Sequence, residues 1–169
     1  MPMFDNDIIV VGGAPGVGKS TLCLALRERF APVYIEFSSL RSPHLDPDWS
    51  DQSADEEAMA FENFVSVARN YVRHGYRNIV ATDFRDHRLA TIPQEFADLS
   101  FRIVTLVLRD ERELRRRLGD RLIGFRNADE AIAWNTAVRE RPTLPHEVRI
   151  EADGLSVDDL IELASDVSA

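Results

Sequence analysis

The stretch Ile8-Ile9-Val10-Val11-Gly12-Gly13-Ala14-Pro15-Gly16-Val17-Gly18-Lys19-Ser20-Thr21-Leu22 decides how this chain folds. Ile8 to Val11 is a short, wholly apolar run, as expected of a strand buried on both faces of a parallel sheet. Gly13 to Ser20 then matches Gly-x-x-x-x-Gly-Lys-[Ser/Thr] in full, with Thr21 next in line. Beyond it Leu22, Ala25 and Leu26 recur at helical spacing and give one apolar face. The order is therefore strand, glycine loop, helix. The glycines let consecutive backbone N–H groups curl inward around phosphate oxygens, and the helix N-terminus adds its positive end. Lys19 is the only lysine in the chain, all other strong bases being arginines. A compact ammonium suits such a curl of backbone where a planar guanidinium does not. The motif assigns Gly13, Ala14, Pro15, Gly16, Val17, Gly18, Lys19, Ser20 and Thr21 to nucleotide phosphates. Lys19 is expected to reach the β- and γ-phosphates, the Ser20 hydroxyl to ligate Mg²⁺, and Thr21 to meet the α-phosphate.

Working outward, runs of strand character alternate with helical patterns. Val33 to Phe37, Ile79 to Asp83, Ile103 to Leu108 and Val148 to Glu151 read as further strands. Helical patterns cover Phe61 to Val72, Glu111 to Leu118, Ala128 to Glu140 and Val157 to Val167. Gly75 and Pro142 stop two of these helices. Strand–helix alternation predicts an α/β fold, a parallel sheet covered by helices on both faces. No repeat or linker divides the chain, so residues 1–169 are expected to form one domain. Residues 38–58, polar and acidic with Pro43 and Pro47, read as a substrate-side insertion.

Bulk properties set limits. The chain has 169 residues, enough for one domain with a real core. Its net charge of −9 argues against wrapping a nucleic acid, whose footprint would be basic. No apolar run reaches membrane length. Cys23 is the single cysteine, so no internal disulfide can form. A cytoplasmic home is the simplest expectation, with Cys23 packed in the core. A small-molecule partner is expected, and a homodimer is left open.

In a parallel sheet of this kind ligands gather at the carboxyl ends of the strands. That places three groups around Lys19. At the end of strand two stand Glu36, Ser38, Ser39, Arg41 and His44. At the end of strand three stand Thr82, Asp83, Arg85, Asp86 and His87. The third group is Arg112, Arg115, Arg116, Arg117, Arg121 and Arg126. Asp83 is the candidate to organise Mg²⁺ or accept a proton from a substrate hydroxyl. Arg121, on a loop beside Gly119 and Gly124, is placed to fold over a triphosphate with Arg117 and stabilise the charge of transfer. Arg112, Arg115 and Arg116 read as a solvated face paired with Glu111 and Glu113. Ser38, Arg41, His44 and Arg85 are the substrate-side candidates, Arg41 and Arg85 gripping a phosphate should the acceptor carry one. Trp49 and Trp134 read first as packing residues.

On these residues the chain resembles the P-loop small-molecule kinases, the group of nucleoside monophosphate, shikimate and gluconate kinases. Within it the chain looks most like chloramphenicol phosphotransferase-like proteins. The likeness spans nearly the whole chain. It rests on Gly13–Ser20, on Phe37-Ser38-Ser39-Leu40 after strand two, and on Asn78 to Phe84. It also rests on Glu111-Arg112-Glu113-Leu114 through Gly119-Asp120-Arg121 and Gly124, which is similar to a lid over about 115–127. Glu151 to Ser156 resembles the final turn that borders an adenine. The resemblance implies a P-loop NTPase three-layer sandwich, a five-stranded sheet ordered 2-3-1-4-5, ATP with Mg²⁺, and phosphoryl transfer to a hydroxyl. The chain departs from the pattern in two places. Ser38 stands where a base-like Asp is expected, and a hydroxyl does not take up a proton as a carboxylate does. The strand-three acid, Asp83, is displaced by one from Thr82. Two alternatives follow: a nucleoside monophosphate kinase, or a nucleotide-dependent switch that transfers nothing.

Overall fold

The computed structural model describes residues 4–44, 53–122 and 124–165. β1 (Ile8–Gly12) is buried along its whole length and leads through the glycine loop into α1 (Lys19–Phe30). β2 (Tyr34–Glu36) passes directly into α2 (Phe37–Arg41) and a 3₁₀ turn at Ser42–His44. α3 (Ala54–Arg73) follows, then β3 (Ile79–Thr82) and the short α4 (Asp86–Leu89) and α5 (Ile92–Glu95). β4 (Phe101–Val107), α6 (Glu111–Gly119), α7 (Ala128–Glu140), β5 (Glu147–Glu151) and α8 (Val157–Ser165) complete the order.

The five strands are all parallel and lie in the order β2-β3-β1-β4-β5, as the resemblance implies. Alternate residues of each strand feed opposite cores. Ile9, Val11, Val80, Val104 and Leu106 face α1, α6 and α8, through Leu22, Leu26, Leu114, Leu118, Leu160 and Ile161. Ile8, Val10, Ile79, Ala81 and Ile103 face α3, α4 and α5, where Phe61, Phe64, Phe84 and Phe96 dominate. This is the expected three-layer arrangement, and it sets the strand ends and the α1 N-terminus on one edge.

Helix starts are written by side chains. Ser53 and Glu56 form a capping box at α3, Asp110 caps α6 through the Arg112 and Glu113 amides, and Asn127 caps α7 through the Glu130 amide. Ser156 and Asp159 exchange the same pair of bonds ahead of α8.

One expectation is corrected. Strand two ends at Glu36, not Phe37, because the chain turns into α2 there. Phe37 thereby stacks on Phe84 at 4.9 Å between centroids and meets Phe61 edge-on. Inside the expected insertion, residues 38–44 form the rest of α2 and the 3₁₀ turn, and α3 begins at Ala54. Trp49 and the acids Asp46, Asp48 and Asp51 lie outside the described residues, as does the His44 side chain.

Candidate functional site

The loop between β1 and α1 is shaped by glycines that nothing else can replace. Gly13 has φ +125°, and a Cβ there would lie 2.3 Å from the Leu106 carbonyl oxygen of β4. Gly16 has φ +91°, and its Cβ would lie 2.7 Å from Leu114 on α6. Both positions need the left-handed region and an absent side chain together. The loop is thus pressed against β4 below and α6 beside it.

Lys19 opens α1 and folds its side chain back along the loop. Its Nζ donates to the Gly13 carbonyl at 2.8 Å and the Ala14 carbonyl at 2.9 Å. Burial pushes its ammonium down from the ordinary 10.5 to about 8. The Asp83 carboxylate pulls the other way, while the Arg121 guanidinium adds to the lowering. Ser20 and Thr21 occupy the first turn of α1, both exposed. Cys23 is buried behind them as expected, and burial pushes its thiol up to about 12, leaving it a packing group.

Arg117 of α6 reaches the same loop. Its Nη1 stands 3.4 Å from the carbonyl oxygens of both Gly16 and Val17, and its Nε donates to Glu113 at 2.7 Å. Arg121, just beyond α6, turns back to the Phe125 carbonyl. A cavity of about 370 Å³ is bounded by residues Gly16 to Thr21 together with Arg117 and Arg121. Its far end is apolar, made of Ala152, Leu155, Val157 and Leu160. So the structure brings the loop, its lysine and two of the predicted arginines around one space, half cationic and half apolar. Gly13, Ala14 and Pro15 lie outside that lining.

The remaining predicted residues divide. Thr82, where an acid was first sought, is buried and donates to the Val11 carbonyl at 3.0 Å, tying β3 to β1. Asp83 is the next residue, with φ 76°, a left-handed conformation that Asp tolerates better than most. It leaves the sheet partly exposed and within electrostatic reach of Lys19. In β2 the acid at the strand end is Glu36, level with Thr82 in register and exposed. Ser38 sits beyond the strand, in α2, half-buried.

Arg41 ends α2 with its guanidinium 5.7 Å from the Phe37 ring centroid. Arg85 is half exposed, 5.0 Å over the Trp134 ring and 3.5 Å from Glu130. Asp86 turns away to pair with Arg141. Arg115 and Arg116 pair with Asp129, Glu113 and Asp120, the solvated face expected of them. Arg126 donates to the Leu122 carbonyl.

Sequence reasoning missed a set of buried polar groups behind the site. Asn135 on α7 is 1% exposed and grips both backbone groups of Leu108. Glu147, whose side chain is fully buried, accepts from Thr105, Arg141 and the Leu144 amide. The one available signal was Asn135 itself, a polar residue on the helical stripe of Ala131 and Val138.

Comparison with solved structures shows the same architecture. A sugar kinase from Janibacter sp. HTCC2649 superposes with TM-score 0.68 at 14% identity, covering 94% of this chain and 92% of that one. A gluconokinase from Sinorhizobium meliloti 1021 gives 0.67 at 16% identity, covering 96% and 91%. A shikimate kinase from Acinetobacter baumannii, in complex with shikimate, gives 0.57 at 17% identity, covering 95% and 93%. At such identities the likeness establishes the fold. A search by sequence among curated proteins finds no match. A family model described as AAA domain matches residues 9–132, from β1 through the loop, both predicted arginines and into α7. With its 2-3-1-4-5 parallel sheet and complete phosphate-binding loop, this chain belongs to that P-loop family.

Proposed function

We propose that this chain is a Mg·ATP-dependent phosphotransferase that moves the γ-phosphoryl group to a hydroxyl of a small molecule. The observation that carries the reading is the single cavity shared by the glycine loop, Lys19, Arg117 and Arg121. Cations from two separate elements converge there on a helix N-terminus, the arrangement that neutralises a polyphosphate. Lys19 and Arg117 each face carbonyl oxygens of the loop itself, contacts that phosphate oxygens would exchange for stronger ones. The donor set fits the metal as well. Ser20 offers a hydroxyl on the first turn of α1, and Asp83 a carboxylate one strand away, hard oxygens of the kind Mg²⁺ takes. Bound there, the metal would neutralise developing charge on the transferred group.

The chain acts as one domain in this reading, with residues 115–127 as the lid. The acceptor lies on the opposite side, between residues 38–58 and the turn after β3. Asp83 receives the acceptor hydroxyl or holds the metal's water, and Glu36 supplies a second carboxylate at the same edge. Ser38, Arg41, His44 and Arg85 are the acceptor-side residues of this reading. The partial exposure of Arg85 above Trp134 favours an acceptor that carries an anionic group, and a nucleoside monophosphate is one such molecule.

The test is ADP release from Mg·ATP across nucleosides, nucleoside monophosphates, sugars and hydroxylated antibiotics. Strong stimulation by one class, lost in Lys19→Ala, supports the reading and names the acceptor type. Slow turnover that no acceptor stimulates, with demonstrable ATP binding, supports the nucleotide-dependent switch instead.

A further inference from the structure

The segment that joins β4 to α6 is held group by group. The Val107 carbonyl accepts from the Ala152 amide at 2.9 Å. The Leu108 amide donates to Asn135 Oδ1 at 3.0 Å, and Asn135 Nδ2 donates back to the Leu108 carbonyl at 2.6 Å. The Arg109 amide donates to Asp153 Oδ2 at 2.8 Å and the Asp110 amide to Asp153 Oδ1 at 2.9 Å. Asp110 then caps α6 through the Arg112 and Glu113 amides. Four consecutive residues thus have their backbone fixed from outside their own element, and α6 starts at once.

Where α6 starts decides what Arg117 can reach. The helix leans on the glycine loop through Leu114 and Leu118, both in contact range of Gly16, and carries Arg117 to the Gly16 and Val17 carbonyls. Asp153 also stands between Ala152 and Leu155, which form the apolar end of the cavity. Asp153 therefore joins two segments: it belongs to the turn that bears the apolar surface, and its carboxylate holds the turn from which α6 starts. Burial alone would raise its pKa. The Arg109 and Asp110 amides, its own amide and the Arg109 charge together offset that and keep the carboxyl below its ordinary value.

We infer that Asp153 is a positioning residue that sets the spacing between the apolar wall and Arg117, and so tunes the affinity for a nucleoside triphosphate without touching it. The inference rests on the reading of Arg117 as a phosphate contact. Removing Asp153 frees two amides at the root of α6, and a shift of a few tenths of an ångström there is carried along the helix to its guanidinium.

The experiment is a double-mutant cycle read by calorimetric titration with Mg·ATP, using wild type, Asp153→Ala, Arg117→Ala and the double variant, with thermal melts alongside. Asp153→Asn is included as a variant of the same shape that keeps one acceptor oxygen. We expect Arg117→Ala and Asp153→Ala each to weaken binding, Asp153→Ala by roughly threefold to thirtyfold, the span of coupling through a positioning group. Asp153→Asn should fall between wild type and Asp153→Ala. In the Arg117→Ala background the loss of Asp153 should cost less than about twofold, because there is no guanidinium left to place. A merely structural Asp153 would lower the melting temperature but leave its effect on binding the same in both backgrounds. That result, or Asp153 variants that bind as wild type while Arg117→Ala is weakened, overturns the inference alone. If Arg117→Ala itself binds as wild type, the phosphate role of Arg117 fails and the inference with it.

Discussion

Raising the pH should discharge Lys19 in the free protein well before an ordinary lysine, and ATP binding should record it. The ammonium titrates at about 8, chiefly because it is buried, against an ordinary value of 10.5. Triphosphate oxygens favour the charged form, so the bound value returns to 10.5 or above. The sign then follows from linkage. At pH 7 Lys19 is already charged and binding takes up little proton. Above about 8 the free protein has lost that proton, and binding must recover it. Each further pH unit costs about 1.4 kcal/mol, or tenfold in affinity, until the bound form also titrates. From pH 7 to pH 9 the dissociation constant for Mg·ATP should therefore rise about tenfold, with proton uptake approaching one per ATP. Calorimetry in two buffers of different ionisation enthalpy counts that proton directly. Asp83 is the main group holding the ammonium charged, so Asp83→Asn should move the break below about 8. Lys19→Met should bind weakly and show no break. Wild type that binds equally at pH 7 and 9.5 with no proton uptake would refute the argument that burial, unrelieved by ligand, has discharged this lysine.

Other expectations follow from the same packing. Gly13→Ala meets the Leu106 carbonyl at 2.3 Å in a left-handed backbone, and urea denaturation should show a loss of about 2–4 kcal/mol. Gly124→Ala, also left-handed but in open space, should lose only about 1 kcal/mol. Arg141→Met strips the buried Glu147 carboxylate of its nearer charged partner, leaving Arg149 at 3.6 Å, and should cost about 3 kcal/mol, part of it restored by Glu147→Met in the same chain. Burial would raise the Glu147 pKa, but its bonds from Arg141, Thr105 and the Leu144 amide bring it below 4.5. Its contribution is therefore full above 4.5 and is lost below it, as pH falls through the lowered native value, so acid melts should lose stability in that range. Arg141→Met should move that loss to higher pH.

Much of the fold was legible because its deciding signals are local. The β1–loop–α1 unit is fixed by nine consecutive residues from Gly13 to Thr21, and the meeting of Lys19 with Arg117 and Arg121 follows from where α6 must sit on a P-loop sheet. The start of α2 at Phe37 was not legible, because Ile35 and Phe37 alternate as a strand would; in the fold Phe37 turns into the helix and stacks on Phe84. The start of α3 was hidden in an acidic stretch, although Ser53 and Glu56 carry the capping-box spacing. The end of β2 was read one residue late; Glu36 occupies it, and Ser38 follows in α2. Asn135 showed only as a polar residue on an apolar stripe, and Asp153 and Glu147 had no spacing to betray them. Their partners lie 27 to 44 residues away for the first two, and for the third on β4 and just past α7, so only the folded chain shows what they hold.

The central claim is transfer of a phosphoryl group, and following the γ-phosphate itself tests it most directly. With γ-labelled Mg·ATP and the acceptor class that best stimulates ADP release, the account predicts label in a new phosphate ester, at a rate matching ADP formation. Lys19→Ala and Asp83→Asn should each abolish most of it. Label that appears only as inorganic phosphate, at one slow rate whatever acceptor is offered, would contradict the account.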